Sequence, residues 1–263
     1  MSFQSLPDTQ ASGAPALGAD ALADLRQRVA ALNARYRHHG AVSVLEGALR
    51  DPEAGEIAMV SSFGAESIAL LHLVAMIDRK TPVLFIDTRL LFAETLVYQQ
   101  DVAERLHLED VRVIRTDETM LAQRDPNDDL RLSSTDACCA LRKTVPLEQA
   151  LSGFDGWITG RKRFQSATRQ ALEFFELEDA TGRIKVNPLA HWAPEDVRAY
   201  MDENRLPRHP LVAKGYPSIG CAPCTSPVAE GEDPRSGRWR GEEKVECGIH
   251  FANGRMVRQG PST

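Results

Sequence analysis

The chain has 263 residues, with 31 Lys or Arg against 37 Asp or Glu; the formal charge of −6 excludes a polybasic nucleic-acid binder and suits a mildly acidic globule. Hydrophobic residues at 43% and charged residues at 26% exclude collagen-like, mucin-like and wholly disordered chains, and a chain this long buries its apolar surface without disulfide staples. The longest apolar run, Ile68 to Ile77, is interrupted by His72 and has half the length of a bilayer-spanning helix, so no membrane segment is expected.

Residues 1–20 are rich in Ala, Ser, Gly and Pro, with neither the basic start nor the apolar centre of a secretory signal, and are expected to form a disordered leader on a cytoplasmic protein. From Ala21 to Arg37, Leu22, Leu25, Val29 and Leu32 recur at helical spacing. Ile57 to Val60 reads as a buried strand that enters the loop Ser61-Ser62-Phe63-Gly64-Ala65 and then a helix from Glu66 to Arg79. Pro82 to Ile86 gives a second strand ending at Asp87-Thr88, Glu94 to Leu106 a helix, Val111 to Ile114 a third strand and Gly156 to Thr159 a fourth. This alternation predicts an α/β fold, a mostly parallel sheet with helices on both faces, whose ligands bind at the carboxyl ends of the strands. Ala171 to Leu177 and Arg183 to Val186 flank a turn and read as a hairpin, and Pro194 opens a helix carrying Val197, Tyr200 and Met201. From Arg205 onward Pro, Gly and charge dominate, so an irregular tail is expected, held by something other than a core. The organisation expected is a leader over 1–20, one α/β domain over 21–230 and a tail over 231–263.

The loop from Ser61 to Ser67 connects a strand to a helix, so its N–H groups and hydroxyls suit a phosphate or sulfate; an ordinary N-capping serine is the plainer alternative. Cysteines are five, an odd count in a chain expected to stay reduced, which points to metal binding or catalysis. Four stand as Cys138-Cys139 and Cys221-Ala222-Pro223-Cys224. Adjacent cysteines strain a mutual disulfide and are awkward on one zinc ion, whereas an iron–sulfur cube accepts them on different irons; both metal centres stay open on spacing alone. Cys247 stands apart in Glu246-Cys247-Gly248-Ile249-His250, where Gly248 grants freedom and His250 can support a thiolate.

With Cys138-Cys139-Ala140-Leu141-Arg142-Lys143, Gly215 to Thr225 around Cys221 and Cys224, and Glu246 to His250 in this order, the chain from Ser61 to His250 resembles the assimilatory adenylyl-sulfate and phosphoadenylyl-sulfate reductases, specifically the cluster-bearing bacterial type. The resemblance implies an adenine-nucleotide alpha-hydrolase-like (Rossmann-like) nucleotide-binding domain with a 4Fe-4S cluster on Cys138, Cys139, Cys221 and Cys224. It further implies a nucleophilic Cys247 on a mobile C-terminal segment, thioredoxin or glutaredoxin as reductant, and reduction of adenylyl sulfate to sulfite and AMP through an S-sulfocysteine, in sulfate assimilation and cysteine biosynthesis. By the same resemblance Lys143, Arg235 and Arg238 supply charge to the sulfate, with His250 beside the nucleophile; Ser61, Ser62 and Gly64 match the phosphate loop, and Ile86, Asp87 and Thr88 the strand end beside adenosine. Gly160, Arg161, Lys162, Arg163, Gln165 and Arg169 resemble the arginine-bearing loop. A homo-oligomer without nucleic-acid or membrane partners is expected.

The sequence departs from the family pattern at Arg89, where relatives have Gly, at Ala93 in place of Pro, and at Lys162 in place of Arg. Arg89 lacks the freedom of Gly, so a changed backbone is expected there. Cluster-bearing members generally take adenylyl sulfate, although no residue reads the nucleotide 3′ position directly. The alternatives are the 3′-phosphorylated substrate, a PP-loop tRNA thiolase, disfavoured by the Ser62-Phe63-Gly64-Ala65-Glu66-Ser67 loop and the acidic chain, or a metal-stabilised nucleotide sensor in which Cys247 is idle.

Overall fold

A computed structural model of the protein describes residues 18–166, 169–242 and 244. Helix α1 (Ala19–Tyr36) begins inside the stretch expected to be leader, and α2 (Ala41–Arg50) follows, burying Val44, Leu45 and Ala48. Then come β1 (Ile57–Ser61), α3 (Ser67–Ile77), β2 (Val83–Ile86), α4 (Ala93–Arg105) and β3 (Val111–Ile114). Four short helices, α5 (Glu118–Arg124), α6 (Leu130–Ser133), α7 (Thr135–Cys139) and α8 (Val145–Ala150), precede β4 (Gly156–Ile158); a π-helical turn, Ala140–Thr144, joins α7 to α8. The chain then forms β5 (Phe175–Glu178), β6 (Arg183–Val186) and α9 (Pro194–Glu203).

The strands form one sheet in the order β3-β2-β1-β4-β6-β5, parallel except for β5, which pairs antiparallel with β6. The expected hairpin is therefore the far end of the main sheet, because β6 also pairs in parallel with β4. Side-chain alternation divides the sheet into two faces. Ile57, Met59, Val83, Phe85 and Ile158 join the larger core with residues of α1, α2, α3, α4 and α9, whereas Ala58, Leu84 and Trp157 meet Leu147 and Leu151 on the other face. Burial on both faces explains why β1 and β2 read as continuous apolar runs. It also explains α3, which is apolar almost all round and buries seven of its residues, Ile68, Ala69, Leu70, Leu71, Leu73, Val74 and Ala75.

The irregular segment after α9 is docked by specific polar contacts. Tyr98 Oη on α4 donates to the Pro207 carbonyl at 2.8 Å, and the His209 ring lies 4.7 Å from the Tyr98 ring centroid. His209 Nδ1 accepts the Leu211 N–H at 3.2 Å, which leaves Nε2 as the protonated nitrogen, donating to Thr95 Oγ1 at 3.1 Å. Burial at 1% exposure pushes the His209 pKa down from 6.5 to about 4, opposed by the Glu94 charge. Because the folded pKa is depressed, this contribution is fully present above pH 6.5 and is lost as pH falls towards 4. Roughly 2 kcal/mol is expected to have gone by about pH 5. Urea unfolding at about pH 7.5 and 5 reads the loss, and His209→Asn is expected to flatten that part of the slope; an unchanged slope would sink the assignment.

Candidate active site

At the carboxyl edge of β1, β2 and β4 lies a cavity of about 290 Å³, bounded by the loop after β1, the segment after β4, and residues 217–220 and 233–239. The loop is built around Phe63, which is fully buried, packs edge-on against Phe85 at 5.3 Å and has φ +47°, a left-handed conformation unusual for an aromatic residue. Ser61 Oγ accepts the Phe63 N–H at 3.2 Å and Ser67 Oγ accepts the Gly64 N–H at 3.0 Å. Two N–H groups expected to cradle an anion are thus held by the loop's own hydroxyls, while Ser61, Ser62 and Gly64 still line the cavity.

Six cationic side chains, Lys143, Arg161, Lys162, Arg169, Arg235 and Arg238, line the cavity of a chain that is acidic overall. Several have protein partners. Arg161 donates to Glu176 and, at 3.0 Å, to Asn187 Oδ1; Arg169 donates to Gln165. Lys162, 2% exposed, donates to Glu66 Oε2 at 2.9 Å and the Gly160 carbonyl at 3.3 Å; burial lowers its pKa and Glu66 opposes that shift. Arg238 differs: its guanidinium lies over the Trp239 ring at 4.4 Å, Nη1 donates to the Ile219 carbonyl at 3.3 Å, and Nε is buried without a partner.

Beside this cavity is a smaller one lined by Cys138, Cys139, Cys221 and Cys224. All four are thiols outside any disulfide; three are buried and Cys224 is half-buried. Ser134 caps α7, accepting the Ala137 N–H at 3.1 Å, and so places the adjacent cysteines at the helix end. The second pair is brought in by an antiparallel bridge of Cys221 to Leu91, with the Ala222 N–H donating to the Leu90 carbonyl at 2.7 Å. Burial raises the Cys138 thiol pKa against the Arg142 charge, and burial with Cys221 raises that of Cys224 against Lys143. Among the described residues no group of three or more His, Cys, Asp or Glu is placed to hold a metal ion. Thr88 Oγ1 accepts the Leu90 N–H at 3.2 Å and shares a hydrogen bond with Cys221 Sγ, also at 3.2 Å. The Lys244 ammonium donates to Asp136 Oδ1 at 2.8 Å and to Cys139 Sγ at 3.3 Å.

Lys143 and Trp239 line both cavities and form their common wall. The π-helical turn after Cys139 sets this up: it buries Arg142 and places Lys143, the next residue, at the cavities. Arg142 is 1% exposed and donates to Asp125 Oδ2 at 2.6 Å, to Asp128, and to the Thr88 carbonyl at 3.0 Å.

Of the residues expected at the site, Ser61, Ser62, Gly64, Ile86, Lys143, Gly160, Arg169, Arg235 and Arg238 converge on the larger cavity. Asp87 and Thr88 do not: Asp87 accepts from Arg115 Nε at 2.8 Å and from the Arg89 N–H at 2.9 Å, and Thr88 faces the cysteines. Arg163, outside the cavity lining, donates to the Leu172 carbonyl at 2.8 Å. Cys247 and His250 lie outside the described residues. Arg89, where the sequence departs from the family pattern, adopts φ +60°, a left-handed conformation that favours glycine, and is held by Asp87 and an ion pair with Glu118 at 2.6 Å. Glu66 as the partner of Lys162, Trp239 as the shared wall and Thr88 as the hydrogen-bond partner of Cys221 were not anticipated; each joins residues far apart in sequence, with no local signal beyond the loop position of Glu66.

A Cβ at Gly220 would lie 2.2 Å from Arg238 Nη2, so the guanidinium sits in the space a side chain would fill. Gly220→Ala is expected to displace it and weaken binding of inorganic sulfate or phosphate by roughly tenfold, the scale of one charge-assisted hydrogen bond. Titration calorimetry checks this, with thermal unfolding close to that of the unaltered protein because the displaced group is a side-chain tip. Unchanged anion affinity would count against Arg238 as an anion ligand.

The model of the phosphoadenosine phosphosulfate reductase domain matches residues 56–227. A curated adenosine 5′-phosphosulfate reductase of Mesorhizobium japonicum is 49% identical over 225 residues, 86% of this chain and 88% of that protein. The protein of the same name from Geobacillus kaustophilus is 41% identical, covering 81% of this chain and 91% of that protein. Among solved structures, the phosphoadenylyl-sulfate reductase from Candida auris in complex with phosphate superposes with a TM-score of 0.64 at 26% identity, over 82% of this chain and all of that one. A cavity rich in cations on the reductase fold, together with these matches over most of the sequence, leads to one conclusion: the chain belongs to the phosphoadenosine phosphosulfate reductase family.

Proposed function

We propose that the protein reduces adenylyl sulfate to sulfite and AMP, with Cys247 as nucleophile and thioredoxin, or glutaredoxin, as the dithiol reductant. Reduction of an adenylyl or phosphoadenylyl sulfate is the activity of the family; the choice of the substrate without the 3′-phosphate follows the names of the relatives. The observation that carries the reading is the common wall: Lys143 belongs at once to the anion cavity and to the cavity of the four thiols.

The sulfur of the mixed anhydride is ringed by anionic oxygens, so a thiolate reaches it only where cations offset the repulsion. Lys143, Arg235 and Arg238 supply that charge, and Ser62 and Gly64 bound the phosphate end of the cavity. The Cys247 thiolate attacks the sulfur, the bond between sulfur and the bridging oxygen breaks, and AMP leaves with the electron pair. The remaining S-sulfocysteine is attacked at its Cys247 sulfur by a thiolate of the reductant, which expels sulfite with the electron pair of the S–S bond. The second thiol of the reductant then attacks its own partner sulfur and frees Cys247, so the two electrons come from the dithiol.

Although no three of the described ligand side chains are gathered about one metal position, four cysteine thiols are the donor set that a 4Fe-4S cluster takes. They are thiols outside any disulfide that share a cavity, where burial and the neighbouring sulfurs disfavour the thiolates of Cys138 and Cys224 unless a metal centre supplies positive charge. Cys138, Cys139, Cys221 and Cys224 would hold it, and when bound it supplies structural cohesion and a local electrostatic field. Thr88 and Lys244 hydrogen-bond two of these sulfurs, as supporting residues do for metal ligands.

Intact-protein mass spectrometry tests the reading. Anaerobically purified protein without reductant, mixed with adenylyl sulfate, is expected to gain one sulfonate on Cys247 with release of AMP, faster than with the 3′-phosphorylated compound, and Cys247→Ser is expected to gain none. Faster reaction of the 3′-phosphorylated compound would overturn the substrate assignment. No adduct from either, in protein that retains iron and sulfide, would overturn the covalent mechanism.

A further inference from the structure

We infer that Lys244 is a positioning residue that anchors the C-terminal segment to the cysteine centre and thereby sets the place from which Cys247 reacts. The inference rests on the reading of Cys247 as nucleophile. The Lys244 side chain is only 8% exposed, and an ammonium taken that far out of water persists only where charge and hydrogen bonds replace the water. It finds both on α7: Asp136 Oδ1 accepts at 2.8 Å and Cys139 Sγ at 3.3 Å. The ammonium also lies 5.6 Å from the centroid of the Trp239 ring, which carries the Arg238 guanidinium at 4.4 Å. The ring is thus shared by a cation that lines the anion cavity and a cation that binds a metal-ligand thiol.

Lys244 precedes Cys247 by three residues. Three residues of extended chain span at most about 11 Å between Cα atoms, so an anchored Lys244 confines the nucleophile to the neighbourhood of the wall formed by Lys143 and Trp239. The effect is one of proximity: without the anchor the same thiol explores a larger volume and meets the substrate sulfur in the reactive geometry less often. Neither Asp136 nor Lys244 lines the larger cavity. Loss of the anchor is therefore expected in the reaction rate rather than in substrate affinity. The contact also links the two halves of the site, because the atom that receives the Lys244 hydrogen bond is itself a proposed metal ligand.

The test compares Lys244→Met and Lys244→Arg with the unaltered protein, all purified anaerobically with equal iron and sulfide. In single turnovers without reductant, Lys244→Met is expected to form the Cys247 adduct about tenfold or more slowly, with AMP affinity within about twofold, and Lys244→Arg to recover most of the rate. Hydrogen exchange of residues 240–250 in the AMP complex supplies a readout independent of activity, expected to rise in Lys244→Met and not in Lys244→Arg. Resonance Raman spectra are expected to shift in the Fe–S(Cys) region when the donor to Cys139 is removed. Unchanged adduct rate and unchanged exchange in Lys244→Met would overturn the anchor. Equal losses of rate and AMP affinity would also overturn it, assigning Lys244 a general structural role. Failure of the unaltered protein to form an adduct at Cys247 would instead overturn the nucleophile, leaving the anchor to be judged on exchange alone.

Discussion

The guanidinium of Arg142 is the charge around which the cysteine centre is assembled. A cation at 1% exposure is tolerable only with its hydrogen bonds satisfied, and its acceptors come from three places: Asp125 after α5, Asp128 in the following turn, and the Thr88 carbonyl beyond β2. Each bond fixes something else. The Thr88 carbonyl holds the strand-end segment whose Leu90 and Leu91 dock Cys221. Asp125 and Asp128 tie the polar stretch between β3 and α7 to the same point, so that Cys138 and Cys139 approach from the opposite side. Removing the cation would leave two carboxylates and a buried carbonyl facing one another, and breaking such a pair from one side typically costs about 3–5 kcal/mol.

Electrostatics in the larger cavity follow a division of labour. Arg161 and Lys162 are committed to Glu176 and Glu66, which keeps their charge in place without an anion and fixes the walls. Arg238 instead rests on an aromatic face and a carbonyl, with one buried N–H unsatisfied. Partners that do not neutralise a cation leave its field for a ligand, and in a site with little water that field acts more strongly than on the surface. An acidic protein thus presents a local positive site to a doubly acidic anhydride, because the sign of a site is set by what surrounds each side chain and not by net charge.

The sheet is legible in the sequence because its strands are short apolar runs ended by small or polar residues, α1 and α4 because each spans three turns or more of periodic burial, and α3 because its apolar run is too long for a strand. The stretch from Glu118 to Ala150 is not. Its helices are four to seven residues long, started by side chains such as Asp117 and Ser134, and its most buried large side chain is an arginine, which apolar periodicity cannot reveal. The cysteine spacing makes the metal-ligand candidates visible, yet the neighbours that tune them are remote: Thr88 meets Cys221 across 133 positions and Lys244 meets Cys139 across 105. Asp87 shows a partner that the sequence hides. An acid at a strand end reads as a ligand contact, but the side chain of Arg115, at the end of the adjacent strand, claims it.

The proposed chemistry explains why a nucleophile would follow the wall residues in sequence and not stand among them. The same sulfur must first meet a sulfate buried against Lys143 and then a thiol on another protein. A cavity of about 290 Å³ admits a nucleotide but not a protein surface. A cysteine on β1 or α7 would serve the first partner and be unreachable by the second. Placement three residues beyond an ion-paired lysine meets both demands, provided the anchor is strong enough to favour the wall and weak enough to release. A contact built from one carboxylate, one sulfur and one aromatic face is of that intermediate kind: it is shielded from water at Lys244, yet Asp136 keeps about a third of its side chain exposed. On the proposed mechanism, water would replace the lysine at the carboxylate once Cys247 turned to the reductant, which avoids the full penalty of stranding a buried charge.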